Sequence, residues 1–342
     1  MSPLRCPRCG AVFDLPARFC TRDGFALVPT DTPSPSKPVG FDLHRTGELR
    51  LPGGRADPAS GLVDQVLDGR FQIKTRVGEG GMAYVYRARD LETGKSVAVK
   101  VLRSRLTGDH EAVARLRREA QFAMRLDHPN VCGVLAWGET SGTPFLVMPF
   151  LDGETLARRE SRLGPMPPAE AIPLLVQLCR GLQHAHDAAV LHRDLKPENV
   201  MLIAGDPGEE RAVVMDFGLA RETAAGPELE KLTATGIVLG TPEFMSPEQI
   251  RGKALDARSD IFGLGVLAFE LLTGKLPFEG ATALETMLAH LTGRPRRLRQ
   301  ARRSLPVSLE RVIGKSLAHK PEERFQSMRE FGEALEGVNG QT

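Results

Sequence analysis

The chain has 342 residues, of which 41% are hydrophobic, and this is enough for a large core and for two or three domains. Its formal net charge of +2 gives no general reason to expect binding to nucleic acid or to a membrane. The start, MSPLRCPRCG, has no apolar run behind its basic residues, so no signal peptide is expected, and the most apolar window, IFGLGVLAFELL, is too short to span a membrane. Five cysteines, an odd number, do not fit a secreted disulfide framework, so we expect a soluble, cytoplasmic protein.

The first predicted element is a small cysteine-containing module, residues 1–28. The pair Cys6-x-x-Cys9, followed by Cys20, resembles half of a zinc ribbon. A complete ribbon would carry a second Cys-x-x-Cys, whereas here the fourth position is Asp23, whose carboxylate can bind Zn²⁺ at about the distance of a histidine nitrogen. The pattern therefore predicts a Zn²⁺ site of Cys6, Cys9, Cys20 and Asp23. Closure by another ligand, such as His44, and a degenerate ribbon without metal remain open alternatives.

The module is followed by a predicted linker, residues 29–62, and by a globular domain, residues 63–338. The linker is rich in Pro, Ser, Thr and Gly and cannot bury enough apolar surface to fold. In the domain, FQIKTRVGEG and KSVAVKVL alternate like strands, while HEAVARLRREAQFAMRL and AEAIPLLVQLCRGLQHAHD have helical spacing. Strands come first and helices follow, so the predicted fold class is α+β, with a small sheet-rich lobe before a larger helical one.

The predicted strands carry two features suited to an anionic ligand. The glycines of VGEGGMAYVYRA would allow backbone N–H groups to approach an anion, because no Cβ blocks the approach. Lys100 lies in the apolar strand VAVK, a costly position unless an anion meets it. Glu119, in a predicted helix, could pair with Lys100, although on its own it fits an exposed helix face equally well.

A second group of polar residues is framed by apolar strands. VLHRDLKPENVML places Asp194, Lys196 and Asn199 in one loop, and Asp216 ends the strand of VVMDFG. A solvated loop needs no such frame, but a loop that fixes a carboxylate, an ammonium and an amide relative to one another does. Carboxylate and amide oxygens suit Mg²⁺, so these residues with the glycines and Lys100 predict a bound nucleoside triphosphate.

In this order and spacing, the motifs resemble those of the protein kinase family. DLKPEN, GTPEFMSPEQI and KPEERFQS resemble the bacterial serine/threonine members in particular. The resemblance covers roughly residues 70–335 and implies the two-lobed kinase fold. Its five motifs are Gly78–Val85, Val97–Lys100, His192–Asp194, Asp216–Gly218 and Ser246–Glu248.

The resemblance implies a catalytic role for four residues. Lys100 would hold the α- and β-phosphates of ATP and would be positioned by Glu119. Asp194 would accept the proton of the substrate hydroxyl, and Lys196 would neutralise the moving γ-phosphoryl group. Such a reaction depends on positioning and on charge stabilisation, which a rigid framed loop supplies.

The resemblance also implies a nucleotide and metal site, with Asn199 and Asp216 as Mg²⁺ ligands. Two departures from the family pattern occur in it: Ala83 replaces the third glycine, and Pro149 is first in the hinge. The family uses the carbonyl at the Pro149 position and the N–H of Leu151, so we expect nucleotide binding to tolerate both. The implied nucleotide contacts are Val77, Gly78, Glu79, Gly80, Gly81, Met82, Ala83, Tyr84, Val85, Lys100, Pro149 and Leu151.

The segment before Ser246 carries threonines with an implied regulatory role. In the family, the residue at Arg193 pairs with a phosphate on this segment, so we expect autophosphorylation at Thr233, Thr235 or both. The alternative is that both are merely exposed hydroxyls. Thr241 resembles the threonine that lines the substrate groove and is expected to be needed unmodified.

Other conspicuous residues have structural interpretations. Cys132 and Cys179 lie in apolar surroundings and are predicted to be core thiols. Trp137 is predicted to contribute to packing. The resemblance implies an ion pair between Glu248 and Arg324 beneath the activation segment, the stretch between Asp216 and Glu248.

The run GRPRRLRQARR places six arginines between Arg294 and Arg303. One interpretation is a solvated basic loop. The other is a docking patch for an acidic or phosphorylated partner.

Two further functions fit parts of the sequence. One is an inactive kinase-like scaffold whose cysteine module recruits partners, but such a scaffold has usually lost a catalytic residue, and the full set is present here. The other is nucleic-acid binding through the module, which offers only four arginines against two aspartates. We therefore expect an active serine/threonine kinase whose partners are protein substrates and itself, with no nucleic-acid or membrane partner.

Overall fold

The chain divides into two compact units, Met1–Arg55 and Ala56–Thr342. The computed structural model describes residues 57–80, 83–103, 113, 117, 120–140, 142–205, 209–217 and 241–339, with three short strands near the N-terminus. Those strands, β1 (Leu4–Arg5), β2 (Val12–Phe13) and β3 (Val28–Pro29), form an antiparallel sheet in the order β2-β1-β3. The predicted zinc ligands and the alternative ligand lie outside the described residues: Cys6, Cys9, Cys20, Asp23 and His44.

The second unit begins with an antiparallel sheet, six-stranded among the described residues and ordered β4-β5-β6-β7-β9-β8. In β7, Val97, Val99 and Val101 are buried, whereas Ala98 and Lys100 are half-buried on the opposite face. This period of two explains why a charged residue can occupy an otherwise apolar strand. The strands are β4 (Val66–Leu67), β5 (Phe71–Glu79), β6 (Ala83–Asp90), β7 (Ser96–Leu102), β8 (Ala136–Thr140) and β9 (Thr143–Pro149).

Helices dominate the rest of the unit, which confirms the predicted sheet-rich lobe followed by a helical one. The predicted helix AEAIPLLVQLCRGLQHAHD is confirmed as part of α2. A small antiparallel sheet of β10 (Glu154–Thr155), β11 (Val200–Ala204) and β12 (Glu210–Val214) accompanies the helices. The helices are α1 (Leu156–Leu163), α2 (Pro168–Asp187), α3 (Pro247–Ile250), α4 (Ala257–Thr273), α5 (Ala283–Thr292), α6 (Leu298–Ala301), α7 (Val307–Ser316) and α8 (Met328–Asn339).

The most apolar window of the sequence, IFGLGVLAFELL, forms the centre of α4. Asp256 caps this helix by accepting a hydrogen bond from Arg258 N, and Gly274 ends it with a left-handed φ of 66°. Nearly every residue of α4 is buried, so the helix is apolar on all sides because protein surrounds it. Within the described residues, every helix is too short or too polar to span a bilayer.

Of the four apolar clusters among the described residues, the three largest hold the second unit together. One surrounds α2 and α4, and another fills the buried face of the large sheet. The third joins the two lobes: Leu146 and Met148 of β9 pack with Val213 of β12, and Met201 of β11 lies at the edge. The cleft between the lobes is therefore backed by continuous apolar packing.

The predicted core thiols and buried ion pair are confirmed. Cys132 and Cys179 are buried, and desolvation raises the pKa of Cys132 to about 12, so its thiol is unreactive at neutral pH. Glu248 and Arg324 form a bidentate pair, with Arg324 Nη1 2.7 Å from Glu248 Oε1 and Nη2 2.9 Å from Oε2. Trp137 is partly buried against the interlobe cluster, in agreement with a packing role.

Candidate active site

The loop between the two apolar stretches of VLHRDLKPENVML, here called the framed loop, brings its polar residues into direct contact. Lys196 Nζ lies 3.2 Å from Asp194 Oδ2 and donates to Thr241 Oγ1 at 3.1 Å. Asn199 Nδ2 donates to the backbone oxygen of Asp194 at 2.7 Å. A carboxylate, an ammonium, an amide and a hydroxyl are thus held within one short network, as the sequence pattern predicts for the first three.

Asp216 joins this network from the end of β12. Its φ of 56° is left-handed, and the preceding Met215 N donates to Asn199 O at 2.8 Å. Lys100 Nζ lies 2.7 Å from Asp216 Oδ1. Burial opposes ionisation of Asp216, but the Lys100 ammonium outweighs it, so the pKa of this carboxyl lies below its usual range. Asp216 is therefore an anion at neutral pH.

The ionised Asp216 and the amide of Asn199 fit a hard divalent cation. Asn199 uses its amide nitrogen towards Asp194, so its carbonyl oxygen is the atom suited to a metal. Carboxylate and carbonyl oxygens are the ligands that Mg²⁺ prefers. The donor set at this point of the cleft is therefore compatible with Mg²⁺.

The framed loop is hydrogen-bonded to the buried helix α4 through Asp260. Asp260 Oδ2 accepts from His192 N and Oδ1 accepts from Arg193 N, both at 2.8 Å, and His186 Nε2 lies 2.7 Å from Oδ2. Burial disfavours the Asp260 charge, but the His186 hydrogen bond and the nearby imidazoles outweigh it and lower the pKa. The ionised Asp260 thus fixes the position of the backbone at His192 and Arg193, immediately before Asp194.

The glycine turn lies at the start of the cleft, between β5 and β6. Gly78 is paired with Val85, and Gly80 N donates to Ala83 O at 2.9 Å. Neither glycine has a positive φ, and a Cβ would meet its nearest neighbour at 3.6 Å for Gly78 and 3.7 Å for Gly80, which are ordinary contacts. The fold alone does not demand glycine at either position, which is consistent with the predicted approach of an anion to the backbone there.

Arg103 holds this turn and was not identified from the sequence. Its Nε donates to Gly80 O at 3.0 Å and its Nη2 to Glu79 Oε1 at 2.7 Å. The guanidinium also lies 4.5 Å from the ring centroid of Tyr84. No motif marks Arg103; its position one residue after β7 is the only signal.

The hinge positions continue from β9. Met148 is paired with Ala98 and Pro149 with Val97 across the sheet, and Leu151 packs against the interlobe cluster. Ala98 and Met201 also pack against the interlobe cluster and were not identified from the sequence. Both lie on the less buried face of their strands, a signal present in the period of two.

Several predicted site residues lie outside the described part of the chain. Among the described residues, Lys100 forms an ion pair with Asp216; whether Glu119 pairs with Lys100 stays a prediction. The predicted residues outside the described part are Gly81, Met82, Glu119, Gly218, Thr233 and Thr235.

A pocket of about 480 Å³ beside the framed loop, which we also call the catalytic loop, is lined by Glu160, Glu198 and Glu270. Burial, together with repulsion from the other two carboxylates, raises the pKa of Glu160 to about 8. Burial and neighbouring acidic groups raise the pKa of Glu270 to about 7. Within the described residues, Glu160 Oε1 and Glu270 Oε2 are buried without a hydrogen-bond partner. Glu160 therefore retains its proton at neutral pH.

Glu160→Gln should stabilise the protein at alkaline pH and change its stability much less near pH 5. Between the ordinary value of 4.5 and the folded value of about 8, the carboxyl ionises mainly in the unfolded state, so rising pH favours unfolding. Glutamine cannot ionise, so the variant does not lose stability in this way as pH rises. Melting temperatures at about pH 5 and pH 8.5 measure the effect, with the exposed Glu336→Gln as control. An equal shift at both pH values would contradict the assignment.

Comparison with known proteins identifies the relatives of this chain. A family model described as protein kinase domain matches residues 71–333. Over 282 residues the chain is 40% identical to serine/threonine-protein kinase pkn3 of Myxococcus xanthus, covering 81% of this chain and 51% of pkn3. Over 269 residues it is 39% identical to PknB of Mycobacterium leprae, covering 78% of this chain and 42% of PknB. The chain thus spans about half, or less, of the length of these relatives.

A solved structure gives the same answer for the fold. The kinase domain of Mycobacterium tuberculosis PknI is 27% identical and superposes with a TM-score of 0.65, covering 80% of this chain and 98% of that domain.

Proposed function

The chain belongs to the protein kinase family, and we propose that it is a serine/threonine kinase that transfers the γ-phosphoryl group of ATP to serine and threonine hydroxyls of proteins. The observation that supports this most directly is the Asp194–Lys196–Thr241 network next to the Lys100–Asp216 pair. An inactive scaffold would have no need to keep a carboxylate, two ammonium groups and a metal-binding set at one point of the cleft.

In the proposed reaction, the substrate hydroxyl oxygen attacks the γ-phosphorus and the bond to the β–γ bridging oxygen breaks, so that ADP leaves. Asp194 orients the hydroxyl and accepts its proton. Lys196, 3.2 Å from that carboxylate, neutralises the charge of the group in transit. Lys196 also donates to Thr241, which would line the substrate groove. This hydrogen bond would therefore hold the groove next to the ammonium group that faces the γ-phosphoryl group.

On the nucleotide side, Lys100 would hold the α- and β-phosphates, and the glycine turn would place backbone N–H groups over them. Asn199 and Asp216 would hold Mg²⁺, which when bound neutralises phosphate charge. The hinge would contribute the Pro149 carbonyl and the Leu151 N–H to the adenine.

The experiment that tests this function uses the purified chain with ATP and Mg²⁺ and a generic protein substrate. Phosphosites on the substrate and on the chain itself are mapped by mass spectrometry. We expect phosphoserine and phosphothreonine but no phosphotyrosine. Absence of phosphate on both proteins would contradict the proposal.

We further propose that residues 1–28 form a zinc-binding module, joined by a linker to the catalytic domain. The bounds expected from the sequence, 29–62 for the linker and 63–338 for the domain, need one change: Ala59 and Leu62 are buried in the core of the large sheet, so the domain begins before residue 63. The support is the Cys6-x-x-Cys9 pair with Cys20 and Asp23 in ribbon-like spacing. Zinc should therefore co-purify with the full chain, and Cys6→Ser/Cys9→Ser should release it, as measured by elemental analysis. Transfer to a generic substrate should be unchanged, because a Pro-rich linker uncouples folded modules. A metal-free wild type prepared without chelators would rule the module out.

Autophosphorylation at Thr233, Thr235 or both is proposed as the activating step. A phosphothreonine supplies nearly two negative charges and several acceptor oxygens, which suit a bidentate contact with a guanidinium such as that of Arg193. Arg193 is next to Asp194, and its backbone is anchored on Asp260, so a contact there would act at the catalytic loop.

The double variant Thr233→Ala/Thr235→Ala should therefore not respond to pre-incubation with ATP. Dephosphorylated wild type should gain activity under the same treatment, measured as initial rate on a peptide. Equal activation of both proteins would place the switch elsewhere.

The basic run Arg294–Arg303 is proposed to dock an acidic or phosphorylated partner. Arg296 is used internally by pairing with Glu279 at 2.9 Å, and Arg302 donates to Met166 O and Leu272 O. The other four arginines of the run are exposed: Arg294, Arg297, Arg299 and Arg303.

A further inference from the structure

Gln249 joins two parts of the chain that are 56 residues apart. Its Nε2 donates to the backbone oxygen of Arg193 at 2.7 Å. Its Oε1 accepts from Ser246 N at 2.9 Å, inside the capping box that starts α3. Because a backbone N–H can only donate and a carbonyl can only accept, both ends of the side-chain amide are assigned and its orientation is fixed.

The carbonyl that Gln249 contacts belongs to the peptide between Arg193 and Asp194. The N–H of the same peptide donates to His192 O at 2.9 Å. Arg193 has a φ of 65°, a left-handed conformation that costs a side-chain-bearing residue about 1 kcal/mol or more. A peptide in such a conformation keeps its orientation only when its surroundings hold it, and the Asp194 side chain turns with it.

The helix that carries Gln249 is itself firmly supported. Glu248, the preceding residue, is paired with the buried Arg324, and Ile250 is fully buried. Gln249 therefore contacts the loop from a fixed position. Asp260 holds the N–H groups of the loop from α4, and Gln249 holds its carbonyl from α3.

We propose that Gln249 is a positioning residue for Asp194, acting through the Arg193–Asp194 peptide. This inference rests on the proposed kinase activity, in which Asp194 faces the substrate hydroxyl. It makes the placement of α3 a determinant of the rate of phosphoryl transfer, because a shift of α3 moves the donor that fixes the peptide.

Gln249→Glu isolates this contact. A carboxylate can still accept from Ser246 N, but it presents an oxygen instead of an N–H to Arg193 O. We expect kcat to fall about tenfold or more, as small displacements of catalytic groups do, with the KM for ATP unchanged. The ratio of variant to wild-type kcat should rise as pH falls, since a protonated carboxyl can again donate to Arg193 O.

The matched control is Gln65→Glu. It makes the same chemical change at an exposed glutamine whose Nε2 also donates to a backbone oxygen, that of Gly61, so kcat should stay at the wild-type level. A wild-type kcat for Gln249→Glu at every pH would overturn the proposal. So would an equal loss in Gln65→Glu, or a loss expressed only in the KM for ATP.

Hydrogen exchange at the Asp194 N–H separates this proposal from the proposed function. Exchange should be faster in Gln249→Glu than in wild type, whether or not phosphoryl transfer is observed. If wild type transfers no phosphate, the kinase function fails while faster exchange still supports the contact. Unchanged exchange overturns the role of Gln249.

Discussion

Asp194→Asn should abolish phosphoryl transfer while leaving nucleotide affinity nearly intact. The substitution preserves the size of the side chain and the bond from Asn199 Nδ2 to the backbone oxygen of residue 194. It removes the group that accepts the substrate proton, which is worth about 10²–10⁴ in rate. It also removes the negative charge 3.2 Å from Lys196. Single-turnover transfer to a peptide and calorimetric titration with ATP measure the two quantities separately.

The matched control for this variant is Asp187→Asn, at the exposed end of α2. It makes the same chemical change at an exposed carboxylate that accepts a hydrogen bond from Gln183 Nε2, and it should leave the rate unchanged. Wild-type turnover in Asp194→Asn would remove Asp194 as the base. A parallel loss of ATP affinity would show instead that the substitution disturbs the cleft.

Arg324→Met should destabilise the folded state by about 3–5 kcal/mol, the usual cost of leaving one member of a buried ion pair alone. Arg324 is 2% exposed and Glu248 is 6% exposed, so water cannot replace the lost partner. Burial disfavours the Glu248 charge, but Arg324 outweighs it and lowers the pKa of that carboxyl. In the variant the carboxyl loses this compensation, so the cost should shrink as pH falls and the carboxyl takes up a proton.

Urea unfolding of the variant measures this loss, and Arg296→Met is the control. Arg296 pairs with Glu279 near the surface, where the side chains are 33% and 50% exposed, and such pairs contribute about 1 kcal/mol or less. The double variant Glu248→Gln/Arg324→Met should recover only part of the loss, because Arg324 also donates to Ala318 O, Arg258 O and His319 O. A loss for Arg324→Met no larger than for Arg296→Met would contradict the assignment.

The elements of the fold could be predicted where the apolar period is local. β7 and α2 are examples, because the apolar residues that each buries recur at regular spacing within one continuous stretch of sequence. The costly placement of Lys100 in a strand also pointed to an anionic partner. Which anion it meets in the structure could not be derived from spacing, because Asp216 lies 116 residues further along the chain.

Arg103 and Gln249 show what sequence reasoning could not reach. Arg103 lies in no motif, and Gln249 directly follows the Ser246–Glu248 motif, but the role of each depends on the backbone carbonyl it contacts. Backbone carbonyls are present at every position and carry no sequence signal. Contacts of this kind become visible only when the path of the chain is known.

The catalytic loop is held to α4 by the hydrogen bonds from His192 N and Arg193 N to Asp260, and this has a consequence for how the protein loses activity. Regions open separately where few buried contacts hold them, and Asp260 belongs to a helix that is buried on almost all sides. The loop therefore belongs to the same cooperative unit as the core. Heat or urea should inactivate the protein at the midpoint at which the helical lobe unfolds, with no range of conditions in which the fold persists and the catalytic loop has come apart.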